Sequence, residues 1–193
     1  VTEYGGMRVT LLGELAGARI PVQADIGFGD AVTPEPERIA YPTLLDSPAP
    51  LLRVYPRETV VSEKFQALVN LGMANSRMKD FFDIWFVANR FEFDGRTLSE
   101  AIKNTFERRA TVLPEQTPSG LSAEFYRDTQ KNRQWDAFLR KGMLLSNSRS
   151  LSLEKVCGLL ETFLMPPTQA LATGRAFMAK WQAGGPWKTA KMG

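Results

Sequence analysis

Residues 55–69 read YPRETVVSEKFQALV, and one of them looks out of place. Wound into a helix at about 100° per residue, Val60, Val61, Phe65, Ala67, Leu68, Val69 and Leu71 gather around a single direction. Lys64 occupies that direction. Ser62, Glu63, Gln66 and Asn70 take the opposite arc, which the pattern assigns to solvent. A cation aimed into a core costs several kcal/mol unless it is paired or its stem lets the charge reach water. The stretch therefore predicts a helix, and it also predicts that the next elements bring anions to Lys64.

The nearest anions in sequence lie in NSRMKDFFDIWFVANR, residues 75–90. On a helical projection Lys79, Asp80 and Asp83 share a wedge of roughly 100°, and Met78, Phe81, Phe82, Ile84, Trp85, Phe86 and Ala88 cover most of the rest. Helices 59–71 and 77–89 are joined by a short loop, so they are expected to pack as an antiparallel pair. Within the second helix Lys79 and Asp83 are i,i+4 partners and Arg77 and Asp80 are i,i+3 partners. Each such pair is worth only a few tenths of a kcal/mol. A lysine flanked by two aspartates is either a salt-bridge network that staples two helices or a phosphate-and-metal site. The pattern alone leaves both readings open.

Outward from this pair the chain changes character. MRVTLL and ARIPVQADI are β-rich and are joined by GELAG, a turn with glycine at both ends. Residues 31–50 hold five prolines and are expected to be a largely irregular connection. LLRVYP reads as a short strand closed by Pro56. Beyond it the expected helices are 59–71, 77–89, 97–110, 121–141, 151–165 and 172–182, with Thr59 and Ser76 as N-caps and Gly72 as a C-terminal stop. The last ten residues, beginning GGPW, are expected to fray. The fold class that follows is α+β: a small sheet over residues 1–57 and a helical lobe over 58–193. In ARIPVQADIGFGD, alternation sets Val22, Ala24, Ile26 and Phe28 against Gln23 and Asp25. Asp25 then sits at a strand end beside two flexible glycines. It is a candidate metal carboxylate, or else it and Asp30 are turn residues.

Bulk properties narrow the chemistry. The 193 residues contain no histidine, which removes histidine acid–base catalysis, Ser-His triads and most zinc sites. The single cysteine, Cys157, excludes an intrachain disulfide, fits a reducing compartment and lies among leucines as a small core residue. No apolar run approaches the ~18 residues of a membrane span, and no signal pattern opens the chain, so the expected location is the cytoplasm. Residues 1–120 carry 13 Lys/Arg against 16 Asp/Glu, whereas residues 121–193 carry 11 against 5. That basic portion, with Tyr126 and Trp135 among its cations, permits RNA contact, although helix aromatics more often serve the core.

The same residues carry a family resemblance. VYPRETVVSEK followed by NSRMKDFFD resembles the paired third and fourth motifs of the AbiEii/AbiGii nucleotidyltransferase-like toxins, Y-P-x-E-T-x-x-A-E-K and R-x-K-D-x-x-D. Ser62 stands where alanine is usual. ADIGFGD resembles the strand after the family's metal-binding strand, and TFERRATVLP at 105–114 extends the likeness, which runs from about Tyr4 to about Arg140. The resemblance implies a polymerase-β-like mixed sheet with a helical C-terminal lobe. It also implies transfer of nucleotides from a nucleoside triphosphate, with Mg2+, to an RNA acceptor such as tRNA, and a cognate antitoxin as partner. It assigns Lys64 to the nucleotide phosphates and Asp80 to the essential acid, with Arg77, Lys79 and Asp83 in support and Asp25 as a metal carboxylate. The family's Gly-Gly-Thr/Ser and Asp-x-Asp motifs do not occur on any expected strand, so a missing segment is expected before Val1 and no transfer by this chain alone. The alternative is an inactive remnant that still binds RNA or antitoxin.

Overall fold

The computed structural model describes residues 6–142 and 151–189. The chain divides into two compact units, Val1–Ala31 and Val32–Gly193. In the first, β1 (Gly6–Leu15) and β2 (Ala18–Gly27) form an antiparallel ribbon in register from Gly6 opposite Gly27 to Leu15 opposite Ala18. Ala16 and Gly17 alone make the turn. Both have positive φ, 48° and 82°, as a two-residue hairpin twisting with its strands requires. One face carries Met7, Val9, Leu11, Ile20, Val22 and Ile26; the other carries Arg8, Thr10, Glu14, Arg19, Gln23 and Asp25.

In the second unit β3 (Glu37–Ala40) pairs antiparallel with β4 (Leu51–Val54). The proline-rich connection is thus not irregular throughout. Residues 37–41 contain no proline, so their amides are free to pair with a neighbouring strand. Then follow α1 (Arg57–Leu71), a 3₁₀ turn (Gly72–Ala74), α2 (Met78–Arg90), the two-residue strand β5 (Phe93–Asp94) and α3 (Gly95–Arg108). After a second 3₁₀ turn (Ser119–Leu121) come α4 (Ala123–Arg127), α5 (Thr129–Gly142), α6 (Leu153–Ala172), β6 (Ala179–Trp181) and β7 (Trp187–Thr189). The small sheet has the order β5-β6-β7. Two small antiparallel sheets precede the helices and a third, β5-β6-β7, forms among and after them, which is the expected α+β class.

The core of this unit draws Val61, Phe65 and Leu68 from α1 and Phe81 and Ile84 from α2. Leu98, Ile102 and Phe106 of α3 join Leu160, Phe163 and Leu164 of α6, and all of these are fully or almost fully buried. Trp135 and Cys157 belong to the same core, Trp135 donating its indole N–H to the Leu151 carbonyl. Burial pushes the Cys157 thiol up to about 12, far from nucleophilic use.

The structure departs from several of these expectations. Thr59 is not a cap: Pro56 holds that position, and Thr59 is buried inside the first turn, where its hydroxyl accepts the Thr33 N–H and donates to the Thr33 carbonyl. Ser76 is not a cap either, since Arg77 precedes α2 without a side-chain cap. The expected helix 121–141 breaks at Asp128, whose extended backbone ends α4 and whose carboxylate accepts the Lys131 N–H at the start of α5. Of the expected helix 172–182 only Ala172, the last residue of α6, is helical. Gly174 takes φ 65° and turns the chain back, and Trp181 enters β6 while donating its indole N–H to the Ala88 carbonyl.

The helix expected to stop at 165 instead runs through Pro166 and Pro167 to Ala172. Pro167 lacks the N–H that would bond the Phe163 carbonyl. The Trp187 indole supplies it from outside at 2.9 Å. That bond also explains why the expected fraying is wrong for residues 187–189, which form β7; residues 190–193 lie outside the described residues.

Candidate functional site

Lys64 reaches its partners because α1 ends where it does. Gly72 closes α1 with φ 48°, a conformation that strains any other residue, and a Cβ there would come within 2.6 Å of Ser119 Oγ. The chain then reverses through residues 72–77. Asn75 Oδ1 accepts the Arg77 N–H at 2.8 Å, and buried Lys131 of α5 donates its ammonium to the Asn75 carbonyl at 2.8 Å. Lys131 Nζ also lies 5.2 Å from the centre of the Phe125 ring. This braced loop sets the first turn of α2 beside the middle of α1.

The result is a compact charge cluster. Lys64 Nζ lies 2.7 Å from Asp80 Oδ1 and 2.8 Å from Asp83 Oδ2. The Lys64 side chain is 20% exposed, Asp80 6% and Asp83 25%. Lys79 shares Asp83 Oδ2, and Arg77 Nε approaches Asp80 Oδ2 at 2.9 Å. The Arg77 contact is a charge contact without hydrogen-bond alignment, so Oδ2 is buried without an aligned donor. Burial by itself would pull the Lys64 pKa down. The hydrogen bonds that its ammonium donates to Asp80 and Asp83, and the charges of those carboxylates, outweigh that effect and hold it above the ordinary lysine value. Asp80 also benefits from its place in the first turn of α2, where the helix dipole favours a negative charge.

The other side of α1 departs from the helical projection. Ser62 and Gln66, assigned to solvent, are buried against α3 and its exit. Ser62 Oγ meets Thr105 Oγ1 at 2.8 Å, Gln66 donates to Thr111 Oγ1, and Arg109 donates to Gln66 Oε1 at 3.0 Å. Arg109 Nη2 also stands 3.5 Å from Glu63 Oε1. The 105–114 stretch therefore braces α1 from the side opposite Asp80. Polar side chains can sit in this seam because each finds a partner there.

Asp25 belongs to the other unit. It faces Arg8 across the ribbon, with Nε 2.6 Å from Oδ1 and Gln23 Nε2 3.0 Å from Oδ2; both charged side chains are mostly exposed. The Arg8 guanidinium holds the Asp25 carboxyl below the usual carboxylate range. Asp30 lies beyond the end of β2. Glu92-Phe93-Asp94 does fall at a strand, β5, but the Asp94 carboxylate accepts the Arg96 and Thr97 N–H groups as the N-cap of α3. Among the described residues no three acidic, cysteine or histidine side chains gather where a metal ion could sit. With Asp80 and Asp83 engaged by cations, these residues alone do not fit a resident magnesium site.

Two contributors escaped the sequence reading. Lys131 anchors the loop before α2, and its signal is weak because a lysine near a helix start ordinarily reads as surface. The second is the far wall of a cleft of about 850 Å³ that opens over Arg77, Lys79 and Asp80. Gln134, Ala137, Phe138, Arg140 and Lys141 of α5 form that wall. Tyr126 is half-buried against the core, as the ordinary fate of helix aromatics suggests.

No curated protein and no solved structure matches this chain. No helix among the described residues is long and apolar enough to cross a membrane. The family model described as nucleotidyl transferase AbiEii toxin, type IV toxin–antitoxin system, matches residues 1–162, a span holding Lys64, Arg77, Lys79, Asp80, Asp83 and the α5 wall. The chain belongs to the AbiEii nucleotidyltransferase toxin family.

Proposed function

We propose that the protein transfers nucleotides from a nucleoside triphosphate to an RNA acceptor such as tRNA, in the bacterial cytoplasm, under the restraint of a cognate antitoxin. The observation that carries this reading is the grip of Asp80 and Asp83 on Lys64. An ammonium has three N–H donors, and two are taken by the carboxylates. The third, on a side chain still 20% exposed, is free to donate to a phosphate oxygen. Arg77 and Lys79 are exposed beside it and add positive charge where a triphosphate gathers negative charge. Asp80 and Asp83 act by orienting the ammonium. Magnesium, which these residues alone do not hold, would be carried by the triphosphate and would screen its charge. In this scheme residues 1–57 contribute to the nucleotidyltransferase sheet, residues 58–193 carry Lys64 and Asp80, and Asp25 remains the candidate metal carboxylate of the sheet.

The sequence contains neither Gly-Gly-Thr/Ser nor an Asp-x-Asp. The 193 residues by themselves are therefore expected to bind ligands without turning them over. The test uses the product of the whole open reading frame, incubated with magnesium, labelled nucleoside triphosphates and tRNA. Label on the RNA that falls at least a hundredfold in Lys64→Met and Asp80→Asn variants supports the reading. Absence of label with a folded product contradicts it. The second reading, a binding remnant, rests on the surplus of cations after residue 120. It gains if the open reading frame product retains RNA without labelling it.

A further inference from the structure

The β1–β2 ribbon has two open edges, since among the described residues no third strand pairs with it. Two strands alone are marginal in water, and a sheet holds itself together only with more. The two edges are not alike. The turn at Ala16 and Gly17 closes on Leu15 and Ala18, which exchange backbone hydrogen bonds across it. Bonded and unbonded pairs then alternate, so Gly13, Leu11, Val9 and Met7 aim their backbone groups at β2. Arg8, Thr10, Leu12 and Glu14 aim theirs outward. On β2 the outward set is Arg19, Pro21, Gln23 and Asp25, and Pro21 has no N–H to give. The β2 edge is thus interrupted near its middle, as a guarded edge strand is, and the β1 edge is not.

An uninterrupted edge accepts another strand, and β1 carries the complement of its own charges. In an antiparallel pair of β1 strands, each face stays of one kind only if even residues meet even ones. Two such registers keep almost the whole strand paired. One is centred on Thr10 and sets Arg8 against Leu12 and Glu14 against Gly6. The other is centred on Leu11, pairs residues 7–15 of both copies, and sets Arg8 against the second copy's Glu14 in both directions. Within each ribbon Arg8 already meets Asp25 at 2.6 Å and Arg19 meets Glu14 at 3.6 Å. Centred on Leu11, the pair therefore draws a row of alternating charge across four strands: Asp25, Arg8, then Glu14 and Arg19 of the second copy. A parallel pair would set Arg8 against Arg8 and Glu14 against Glu14, which repel. On the opposite face Leu11, 59% exposed, would meet its own counterpart and join the two apolar stripes.

We propose that two copies of this chain join through the outer edges of β1, antiparallel and centred on Leu11, into one four-stranded sheet with twofold symmetry. Backbone bonds at Arg8, Thr10, Leu12 and Glu14 hold the pair. The exposed charges, each worth little, choose its register. Pro21 blunts the edges that remain and stops the assembly at two copies.

The test is sedimentation equilibrium of the 193-residue chain over a concentration series, with cysteine cross-linking to read the register. The chain should follow a monomer–dimer equilibrium without larger species. Thr10→Pro removes an outward N–H and leaves the bonds to β2 in place, and should weaken the dimer at least tenfold. Gln23→Pro does the same to the opposite edge and should leave affinity within twofold. Leu11→Cys sets two thiols on the twofold axis, with Cα atoms about 4.5 Å apart, and should give a covalent dimer on mild oxidation. Val9→Cys would face Gly13 and should not cross-link; the native Cys157 is buried. Glu14→Arg should weaken the dimer about threefold, and R8E/E14R/R19E/D25R, which reverses the whole row, should restore it. A chain monomeric throughout, a dimer that Thr10→Pro leaves intact, or cross-linking of Val9→Cys as readily as Leu11→Cys overturns the proposal. Larger assemblies overturn it too, since a further edge or the apolar faces would then be joining copies.

Discussion

Two ion pairs of nearly equal length mark the two units of this chain. Arg8 and Asp25 meet at 2.6 Å on the ribbon, and Lys64 and Asp80 meet at 2.7 Å between α1 and α2. On the ribbon both side chains are more than half exposed, at 66% and 58%. Water and salt screen that attraction, and holding two mobile side chains in place cancels much of what remains. Between the helices the exposures fall to 20% and 6%, so each charge has given up hydration that its neighbours of opposite charge replace. Distance is therefore a poor guide to what an ion pair does; the surroundings decide whether it can be lost without consequence.

Breaking the buried cluster should give the largest effect. Lys64→Met leaves Asp80 with only the misaligned Arg77, and should cost about 3 kcal/mol. Thermal unfolding should then shift down by roughly 6–12 °C for a chain of this size. A shift no larger than that of a surface substitution would place the lysine effectively in solvent. Lys131→Met sharpens the comparison, because this buried cation faces a carbonyl rather than a carboxylate. Its loss strands the Asn75 carbonyl and should cost about 2 kcal/mol by chemical denaturation. Trp187→Phe keeps a ring stacked on Phe163 but removes the donor that Phe163 needs beside Pro167. About 1 kcal/mol should go, and amide exchange should rise in α6 around the prolines. At the small end, Arg8→Ala and Asp25→Ala should leave stability unchanged within error at physiological salt. A clear loss there would contradict the screening argument.

The two pairs also differ in how pH reaches them. Because the folded-state pKa of Lys64 is raised, the stability it contributes is fully present below the ordinary value of 10.5 and is lost only as pH climbs through the higher folded value. Asp25 is the opposite case. Its lowered pKa ties any contribution to the range above the ordinary 3.8, with loss as pH falls through the folded value. Denaturation midpoints followed from neutral to alkaline pH should stay level to about pH 10 and then fall in the parent, and fall less in Lys64→Met.

The lysine–aspartate cluster was legible in the sequence because its cause is local. Helical periodicity placed Lys64 on a buried face, and a six-residue reversal could hardly bring anything but α2 beside it. The seam of Ser62 and Gln66 was not legible. Those side chains are buried only because Thr105, Thr111 and Arg109, some forty residues later, offer hydrogen bonds, and no period in α1 encodes that. The passage of α6 through Pro166 and Pro167 has the same character, since its missing donor arrives from Trp187. The α5 wall was missed because cations ending a helix ordinarily read as solvated, and the cleft they line is made by two helices together.

The account turns on whether carboxylates hold the Lys64 ammonium. Side-chain NMR of selectively ¹³C-labelled lysine, titrated through alkaline pH, reads this directly. The Lys64 midpoint should lie above 10.5 in the parent and drop below it in Asp80→Asn/Asp83→Asn, where burial acts alone. A midpoint at or below 10.5 that the double substitution does not move would contradict the account.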